Sequence, residues 1–213
     1  MKILAVDTAL GACSVALLDG ATILAHRFVA MDRGHAEALA PMTDEAMREA
    51  GLPFSALDRL AVTTGPGTFT GQRVGLAFMR GLRVALKKPL TGVTTLAAMA
   101  AQALAETNLA RAAAVHDARR EEFYVETVPG HGPQILHREQ AIEFLLAFAR
   151  EPLALAGTGA PEMVEKIGNA TLSSVRQPDA RYVARLALAM PQTSEAPRPL
   201  YLRAPDAKLP AKR

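Results

Sequence analysis

The stretch Thr64-Gly65-Pro66-Gly67-Thr68-Phe69-Thr70-Gly71 decides the fold prediction. An apolar run over 60–63 precedes it, and a helical pattern follows it from Gln72 onward. A strand, a glycine-rich turn and a helix N-terminus in this order present backbone N–H groups to an anion. A P-loop, however, has Lys and then Ser or Thr after its last glycine, where this chain has Gln72-Arg73. The loop is therefore predicted to have an unusual backbone conformation, and its sequence indicates no catalytic role.

The composition is typical of a globular protein and excludes few partners. Of the 213 residues, 50% are hydrophobic, 21% are charged and only 5% are aromatic. A chain of this length buries a sizeable core in one large domain or in two smaller lobes. Because exposed aromatic side chains are the usual platform for single-stranded nucleic acid, the low aromatic content weakens that function. The formal net charge of +3 permits acidic partners without requiring them.

Cysteine usage and the N-terminus indicate a cytoplasmic protein. The single cysteine, Cys13, excludes an internal disulfide and lies in an apolar strand pattern, where it is predicted to be a small buried hydrophobe. The apolar part of residues 1–7 is too short for a signal peptide, and no run approaches the length of a membrane span. We therefore expect no contact with a membrane.

The order of predicted elements indicates an α/β fold in two halves. Residues 1–106 read as a three-strand meander followed by alternating helices and strands, in the order β-β-β-α-β-α-β-α. In the first helix, over 34–50, Pro41 is expected to cause a kink or to mark a late start. Residues 107–213 repeat the theme less regularly and end in an extended basic tail from Pro191. The prediction is two lobes, 1–106 and 107–213, each with a mixed sheet and helices on its faces.

Two such halves suggest the actin-like ATPase architecture, in which an aspartate after the first strand faces phosphates and metal. Asp7 has this position, but a carboxylate at a strand end also caps turns, and both interpretations remain open. The five histidines show no H-x-x-x-H or H-E-x-x-H spacing. His35 is expected near a helix N-terminus instead. Because a G-x-S-x-G nucleophile elbow is missing too, the residues predict no catalytic and no metal-binding side chain.

The helix predicted over 70–87 carries the clearest positional pattern. Its basic residues fall within one narrow arc, namely Arg73, Arg80, Arg83 and Lys87. The opposite arc is apolar and comprises Val74, Phe78, Leu82, Ala85 and Leu86. Three interpretations fit the basic arc: an ordinary solvated face, a docking face for an acidic or helical partner, and a surface for RNA phosphates. Gly75 and Gly81 are costly inside a helix, which suggests that something approaches the backbone closely.

Five segments spread over nearly the whole chain are specific in combination. They are Ile3-Leu4-Ala5-Val6-Asp7-Thr8-Ala9, His35-Ala36-Glu37 with Leu39 and Pro41, Gly65 to Gly71 with Arg73-Val74-Gly75, Asp117-Ala118-Arg119-Arg120 with Tyr124, and Tyr201-Leu202-Arg203. With these segments the chain resembles the bacterial TsaB (YeaZ) family, which assists in making the threonylcarbamoyl modification of adenosine 37 in tRNA, termed t6A.

The resemblance implies a two-lobed actin-like ATPase fold of the ASKHA, ribonuclease H-like class, and a paralogous relationship to the catalytic subunit TsaD. In TsaD, two metal-binding histidines in an H-x-x-x-H pattern follow a Pro-Leu-x-Gly-Val strand. Here that strand is Pro89-Leu90-Thr91-Gly92-Val93, and the two positions hold Thr95 and Met99. Since neither side chain replaces an imidazole pair, the resemblance implies a paralogue that kept the scaffold and lost the metal.

By the same resemblance, the chain is a non-catalytic subunit that binds TsaD, with TsaE as a third component that hydrolyses ATP. Family dimers pack through helices of the N-terminal lobe, so a homodimer is a further expectation. No cofactor is expected on this chain alone, ATP or ADP is expected only in the complex, and tRNA is expected to be reached indirectly. The alternatives are a stand-alone nucleotide- or metal-dependent hydrolase or kinase of the actin-like superfamily, and a stand-alone RNA-binding protein.

Two groups of residues are predicted to carry these roles. The partner interface is assigned to Met42, Arg73, Gly75, Phe78, Arg80, Arg83 and Lys87. The loop and structural motif is assigned to Asp7, Gly65, Pro66, Gly67, Thr70 and Gly71. Thr68 and Thr70 are both suitable N-caps for the helix that follows the loop.

Overall fold

The computed structural model describes residues 1–203, and its N-terminal part is a five-stranded mixed sheet. The strands are β1 (Lys2–Asp7), β2 (Ala12–Asp19), β3 (Thr22–Ala30), β4 (Arg59–Gly65) and β5 (Leu90–Thr94). They lie in the order β3-β2-β1-β4-β5. The meander pairs antiparallel, whereas β4 and β5 extend the sheet in parallel from β1. This is the mixed sheet with helical crossovers that the sequence predicts.

A second five-stranded sheet follows in the chain and has a similar plan. Its strands are β6 (Ala112–Asp117), β7 (Glu122–Val128), β8 (Gln134–His137), β9 (Leu153–Ala156) and β10 (Ala170–Leu172), in the order β10-β9-β6-β7-β8. The meander β6-β7-β8 is antiparallel, and β9 and β10 are parallel additions. The predicted α/β class with two mixed sheets is confirmed.

Six α-helices cover the sheets within residues 1–203. They are α1 (His35–Glu49), α2 (Phe69–Leu86), α3 (Thr95–Thr107), α4 (Arg138–Phe148), α5 (Ala160–Val164) and α6 (Ala180–Ala189). A single 3-10 turn, Phe54–Ala56, precedes β4. The first helix begins at His35 and contains Pro41, so Pro41 does not delay its start. None of these helices is both long and apolar enough to cross a membrane.

The side chains of β1 alternate between the two faces of the first sheet, and helices pack on both faces. Leu4 and Val6 point towards α1 and α2 and share a core with them, whereas Ile3 and Ala5 point to the opposite face. On that face they pack with Val183 and other residues of α6. Successive strand residues point to opposite faces, so a strand buried on both sides is apolar throughout. The continuous apolar run of β1 therefore reflects helices on both sides.

The packing of α6 does not follow the predicted division of the sequence into lobes 1–106 and 107–213. This helix belongs to the second half of the sequence, yet it packs on β1 and β2 of the first sheet. Arg59 at the start of β4 is buried and donates hydrogen bonds to the carbonyl oxygens of Ala187 and Met190 at the end of α6. The chain thus crosses back to the N-terminal sheet. The exact lobe boundary remains a prediction, and the tail beyond residue 203 lies outside the described residues.

Candidate functional site

The glycine loop connects β4 to α2, as the sequence predicts. Gly65 has φ of 111°, a left-handed conformation that glycine adopts readily, and the Gly65–Pro66 peptide is cis. Thr68 is the N-cap of α2, and its hydroxyl oxygen accepts a hydrogen bond from the backbone N–H of Gly71 at 3.1 Å. Of the two predicted caps, Thr68 has this role and Thr70 lies inside the first turn.

The interior of the glycine loop is filled by the turn that follows β1. A Cβ atom added to Gly67 would lie 2.4 Å from the carbonyl oxygen of Ala9, and one added to Gly71 would lie 2.2 Å from that of Thr8. The backbone N–H of Thr68 donates to the Ala9 carbonyl at 2.8 Å. These glycines are thus explained by close packing of two backbone segments. The N–H group of Thr68, which an anion would need, already has a partner inside the chain.

Gly75, predicted as an interface residue, is part of the same contact inside the chain. It is buried, and a Cβ atom there would lie 2.8 Å from Oγ1 of Thr8. The Gly75 N–H donates to that hydroxyl at 3.0 Å, and the hydroxyl donates to the Gly71 carbonyl at 2.7 Å. The close approach that the sequence predicts is therefore internal. Met42 is only 8% exposed and belongs to the same core, so it presents no surface either.

Asp7 lies beneath this turn and is fully buried. Its Oδ1 accepts hydrogen bonds from the Thr63 hydroxyl at 2.5 Å and from the Ala9 N–H at 3.3 Å. Its Oδ2 has no hydrogen-bond partner within residues 1–203. Burial raises the pKa of Asp7 to about 7, against the lowering effect of the Thr63 hydrogen bond. The side chain thus caps its own turn, which is the second of the two interpretations left open by the sequence.

A cleft of about 1060 Å³ opens between the two sheets, beside the glycine loop. His35, the first residue of α1, lines the cleft, and its Nε2 lies 3.0 Å from the Leu10 carbonyl oxygen. This confirms the prediction that His35 lies near a helix N-terminus. From the other side, His116 lines the cleft; its burial lowers its pKa to about 4, so the imidazole is neutral at physiological pH. Asp7 is absent from the lining, although Thr70 and Gly71 contribute to it.

Thr95 and Met99, the positions at which the resemblance to TsaD would place metal-binding histidines, are buried on α3. Thr95 and Met99 are both 0% exposed, and Met99 packs with Leu96 against alanines of β6 and β9. Met99 therefore fills the contact between the two sheets with an apolar side chain. Within residues 1–203, no group of three or more His, Cys, Asp or Glu side chains could hold a metal ion. The expectations of no resident metal and no catalytic residue remain predictions.

The predicted basic arc of α2 is covered in part by the chain's own C-terminal segment, residues 191–203, which we term the strap. Arg73 donates to the Tyr201 hydroxyl at 2.8 Å, Arg80 to the Pro197 carbonyl at 2.5 Å and Arg83 to the Ser194 carbonyl at 2.7 Å. These partners lie at sequence separations of 111 to 128 residues. The arginines are thus engaged within the chain, which the sequence prediction of a free docking face missed.

The strap then continues to the second sheet. The Leu200 N–H donates to the Thr64 carbonyl at 2.7 Å, and Arg203 forms an ion pair with Glu122 on β7. Arg203 also donates to the Arg119 carbonyl at 3.4 Å, in a turn where residues 119–121 have φ between 58° and 64°. Three consecutive non-glycine residues in the left-handed region are uncommon and need support from their surroundings. The end of the strap supplies part of that support.

A different face of α2 is exposed and uncharged. We term it the outer face, and it consists of Ala77, Gly81, Val84 and Ala85. Their spacing of i, i+4, i+7 and i+8 places them on one stripe. Val84 is 74% exposed, and a Cβ atom on Gly81 would have no neighbour within 4 Å among the described residues. Phe78, a predicted interface residue, is half-buried against the first-sheet core, and Lys87 is exposed at the C-cap.

Comparison with known proteins relates both the sequence and the fold to one family. The family model of TsaD, described as tRNA N6-adenosine threonylcarbamoyltransferase, matches residues 22–131. The "tRNA threonylcarbamoyladenosine biosynthesis protein TsaB" of Haemophilus influenzae is 32% identical over 206 residues, which cover 88% of this chain and 85% of that protein. The chain belongs to the TsaB (YeaZ) family. The TsaB protein of Escherichia coli is 40% identical over 124 residues, which cover 58% of this chain and about half, 53%, of that protein.

The solved structures agree with this membership of the TsaB family. YeaZ from Pseudomonas aeruginosa superposes with a TM-score of 0.79 at 32% identity, covering 94% of this chain and 99% of that one. The two-lobed actin-like fold expected from the resemblance is confirmed, and the TsaD model match fits the expected paralogous relationship. Sequence reasoning predicted the extended tail from Pro191 but missed its hydrogen bonds to the arginines of α2, and it missed the outer face of α2. The small and apolar residues at 77, 81, 84 and 85 were the available signal for the outer face.

Proposed function

We propose that this chain is a non-catalytic subunit in t6A synthesis and that it binds a TsaD-type transferase through the outer face of α2. The observation that carries the proposal is the exposed uncharged stripe of α2, with Val84 at 74% exposure. Ala40 and Pro41 are exposed on α1, which packs beside α2. Small residues allow two helices to approach closely, and a specific interface needs about 1,200–2,000 Å² of buried surface. Two adjacent helices supply such an area more readily than one.

The chain's relatives and its own packing support this role. The relatives are named for threonylcarbamoyladenosine biosynthesis, and residues 22–131 match the TsaD model. The glycine loop is packed with the chain's own backbone, and Met99 stands where TsaD has a histidine. Both features favour a scaffold over an enzyme. TsaE joins as a third component, nucleotide binds only in the complex, tRNA is the substrate of the complex, and all of them work in the cytoplasm.

The test is a charge placed on the outer face. Val84→Asp would bury an unpaired carboxylate in the interface and is expected to weaken co-purification with tagged TsaD from the same organism by at least about tenfold. The matched control is Leu146→Asp, because Leu146 is 49% exposed on α4 of the second sheet. Equal retention of both variants would place the interface elsewhere.

The alternative is a stand-alone hydrolase or kinase, and purified protein separates it from the scaffold. ATP turnover by the isolated chain would support the enzyme and contradict the proposal. The variants Arg80→Glu and Gly75→Leu are unsuitable as tests of TsaD binding. Arg80 holds the strap, and Gly75 contacts Thr8, so both variants would change the fold of the chain itself.

A further inference from the structure

The basic side of α2 carries a net positive charge, whereas the rest of the chain has a slight net negative charge. We term it the α2 ridge, and it consists of Arg73, Arg80, Arg83, Lys87, Lys88 and, on the adjoining strap, Arg198. Glu195 is the single carboxylate in this part of the strap. The ridge therefore has an excess of five positive charges, whereas the whole chain has a net charge of +3. The remainder of the molecule is slightly acidic, so the ridge is a local feature.

The ridge has no carboxylate partners within residues 1–203. No ion pair there involves any of its six cations. Arg80 and Arg83 donate to neutral carbonyl oxygens of Pro197 and Ser194. A phosphate adds the attraction between opposite charges to the hydrogen bond and can accept two parallel bonds from one guanidinium, which a single carbonyl oxygen does not. A phosphate oxygen would therefore compete well with these two carbonyl groups.

Two exposed aromatic rings lie at the N-terminal end of the ridge. Phe69 is 56% exposed, Tyr201 is 43% exposed, and their ring centroids lie 5.8 Å apart. The Arg73 guanidinium lies 3.6 Å from the centroid of Phe69. Stacked aromatic rings with an arginine are the surface on which unpaired bases bind. The chain is poor in aromatics, yet the strap brings one of its three tyrosines beside one of its seven phenylalanines.

We propose that the α2 ridge, with Phe69 and Tyr201 at its end, binds RNA directly, its cations taking phosphates and its two rings an unpaired base. The aromatic pair favours RNA over an acidic protein segment, which would need only the charges. From Arg73 to Lys87 the ridge spans roughly 21 Å, at about 1.5 Å per residue, which accommodates several nucleotides. The choice of tRNA as the ligand rests on the proposed function, because a subunit of t6A synthesis works beside tRNA. The ridge and the outer face are neighbouring stripes of α2, because Val84 lies one turn after Arg80 and three residues before Lys87.

The test measures binding of an unmodified, fluorescently labelled tRNA transcript with adenosine at position 37 to the full chain, between 50 and 200 mM salt. Lys87→Gln with Arg198→Gln removes two exposed cations for which no contact is recorded within residues 1–203. Each lost phosphate contact is expected to reduce the slope of log K against log salt by about 0.7–0.9. The matched control is Arg150→Gln with Lys166→Gln, which removes two exposed cations from the second sheet.

Phe69→Ala tests the stacking part separately. It is expected to weaken binding by at least about fivefold while leaving the salt slope unchanged, because it removes a base contact and no charge. Leu146→Ala serves as its control, and thermal melting by circular dichroism verifies that each variant is folded. Unchanged affinity and slope in both ridge variants, or no binding by the wild type at 50 mM salt, would overturn the proposal.

The same variants are also tested for co-purification with TsaD. Retained co-purification with lost RNA binding supports the ridge as an RNA surface. Lost co-purification with unchanged RNA binding would mean that the ridge binds an acidic protein segment, and the RNA proposal would be wrong. Ala85→Asp, which places the charge on the part of the outer face farthest from the ridge, is expected to show the reverse pattern, losing TsaD and keeping RNA. Failure of the proposed function and failure of this inference are thereby distinguishable.

Discussion

At the scale of single residues, Asp7 shows how an inherited position can change its role. The carboxyl group lies at the end of β1, where the actin-like architecture faces phosphate and metal, but here it is enclosed and bonded to Thr63 and Ala9. Its pKa is raised to about 7, mainly by burial. A carboxyl group with a raised pKa holds its proton more tightly in the folded state than in the unfolded state. It therefore lowers stability as pH rises from about 4 towards 7.

Replacing this group should flatten the pH dependence of stability. Between pH 4 and pH 8, wild type is expected to lose about 2–4 kcal/mol of unfolding free energy relative to Asp7→Asn, since each pKa unit is worth about 1.4 kcal/mol. Urea unfolding at several pH values measures the difference. Any change in unfolding free energy that the amide causes equally at all pH values cancels when the two pH profiles are compared. Asp32→Asn, at an exposed carboxyl, is the control. If the unfolding free energies of wild type and Asp7→Asn changed with pH in parallel, the argument would be contradicted.

At the scale of elements, Arg59 links β4 to the end of α6. Its buried guanidinium donates to the carbonyl of Ala187, which also accepts a 3.3 Å hydrogen bond from the Met190 N–H, and to the carbonyl of Met190, the C-cap of the helix. Arg59→Met is expected to lower the unfolding free energy by about 1–3 kcal/mol, because two hydrogen bonds from a charged donor are lost and the buried Ala187 carbonyl keeps only its 3.3 Å bond from the Met190 N–H. Denaturant titration measures this loss. Arg185→Met, at an exposed position of the same helix, should change stability by less than about 0.5 kcal/mol.

At the scale of the whole molecule, the return of α6 makes the N-terminal sheet depend on the C-terminal half. A fragment of residues 1–106 lacks the helix that covers Ile3 and Ala5 on one face of the sheet. It is expected to aggregate or to unfold without a cooperative transition, because an apolar sheet face remains open. Co-expression with residues 107–213 should restore a soluble complex, which size-exclusion chromatography detects. A monomeric, cooperatively folding fragment 1–106 would show that α6 is dispensable.

Sequence reasoning succeeded where signals are local. The loop from Gly65 to Gly71 and the cap at Thr68 follow from residue types at fixed offsets. It did not assign β10, which has three residues, or α6, whose helical pattern lies just before the proline-rich tail. It also missed the partners of Arg80 and Arg83. These are backbone carbonyls more than 100 residues away, and a carbonyl group carries no side-chain signal.

The late position of α6 in the sequence also determines when, during translation, the N-terminal sheet can be completed. The N-terminal sheet and its first three helices are complete once residue 107 has been translated, but the helix that closes the sheet ends at residue 189. At about 5–20 residues per second, translation of the roughly 80 intervening residues takes on the order of 4–16 s. During that interval the nascent chain exposes a half-closed sheet to chaperones. Folding of the first half therefore finishes only when almost the whole polypeptide has been synthesised.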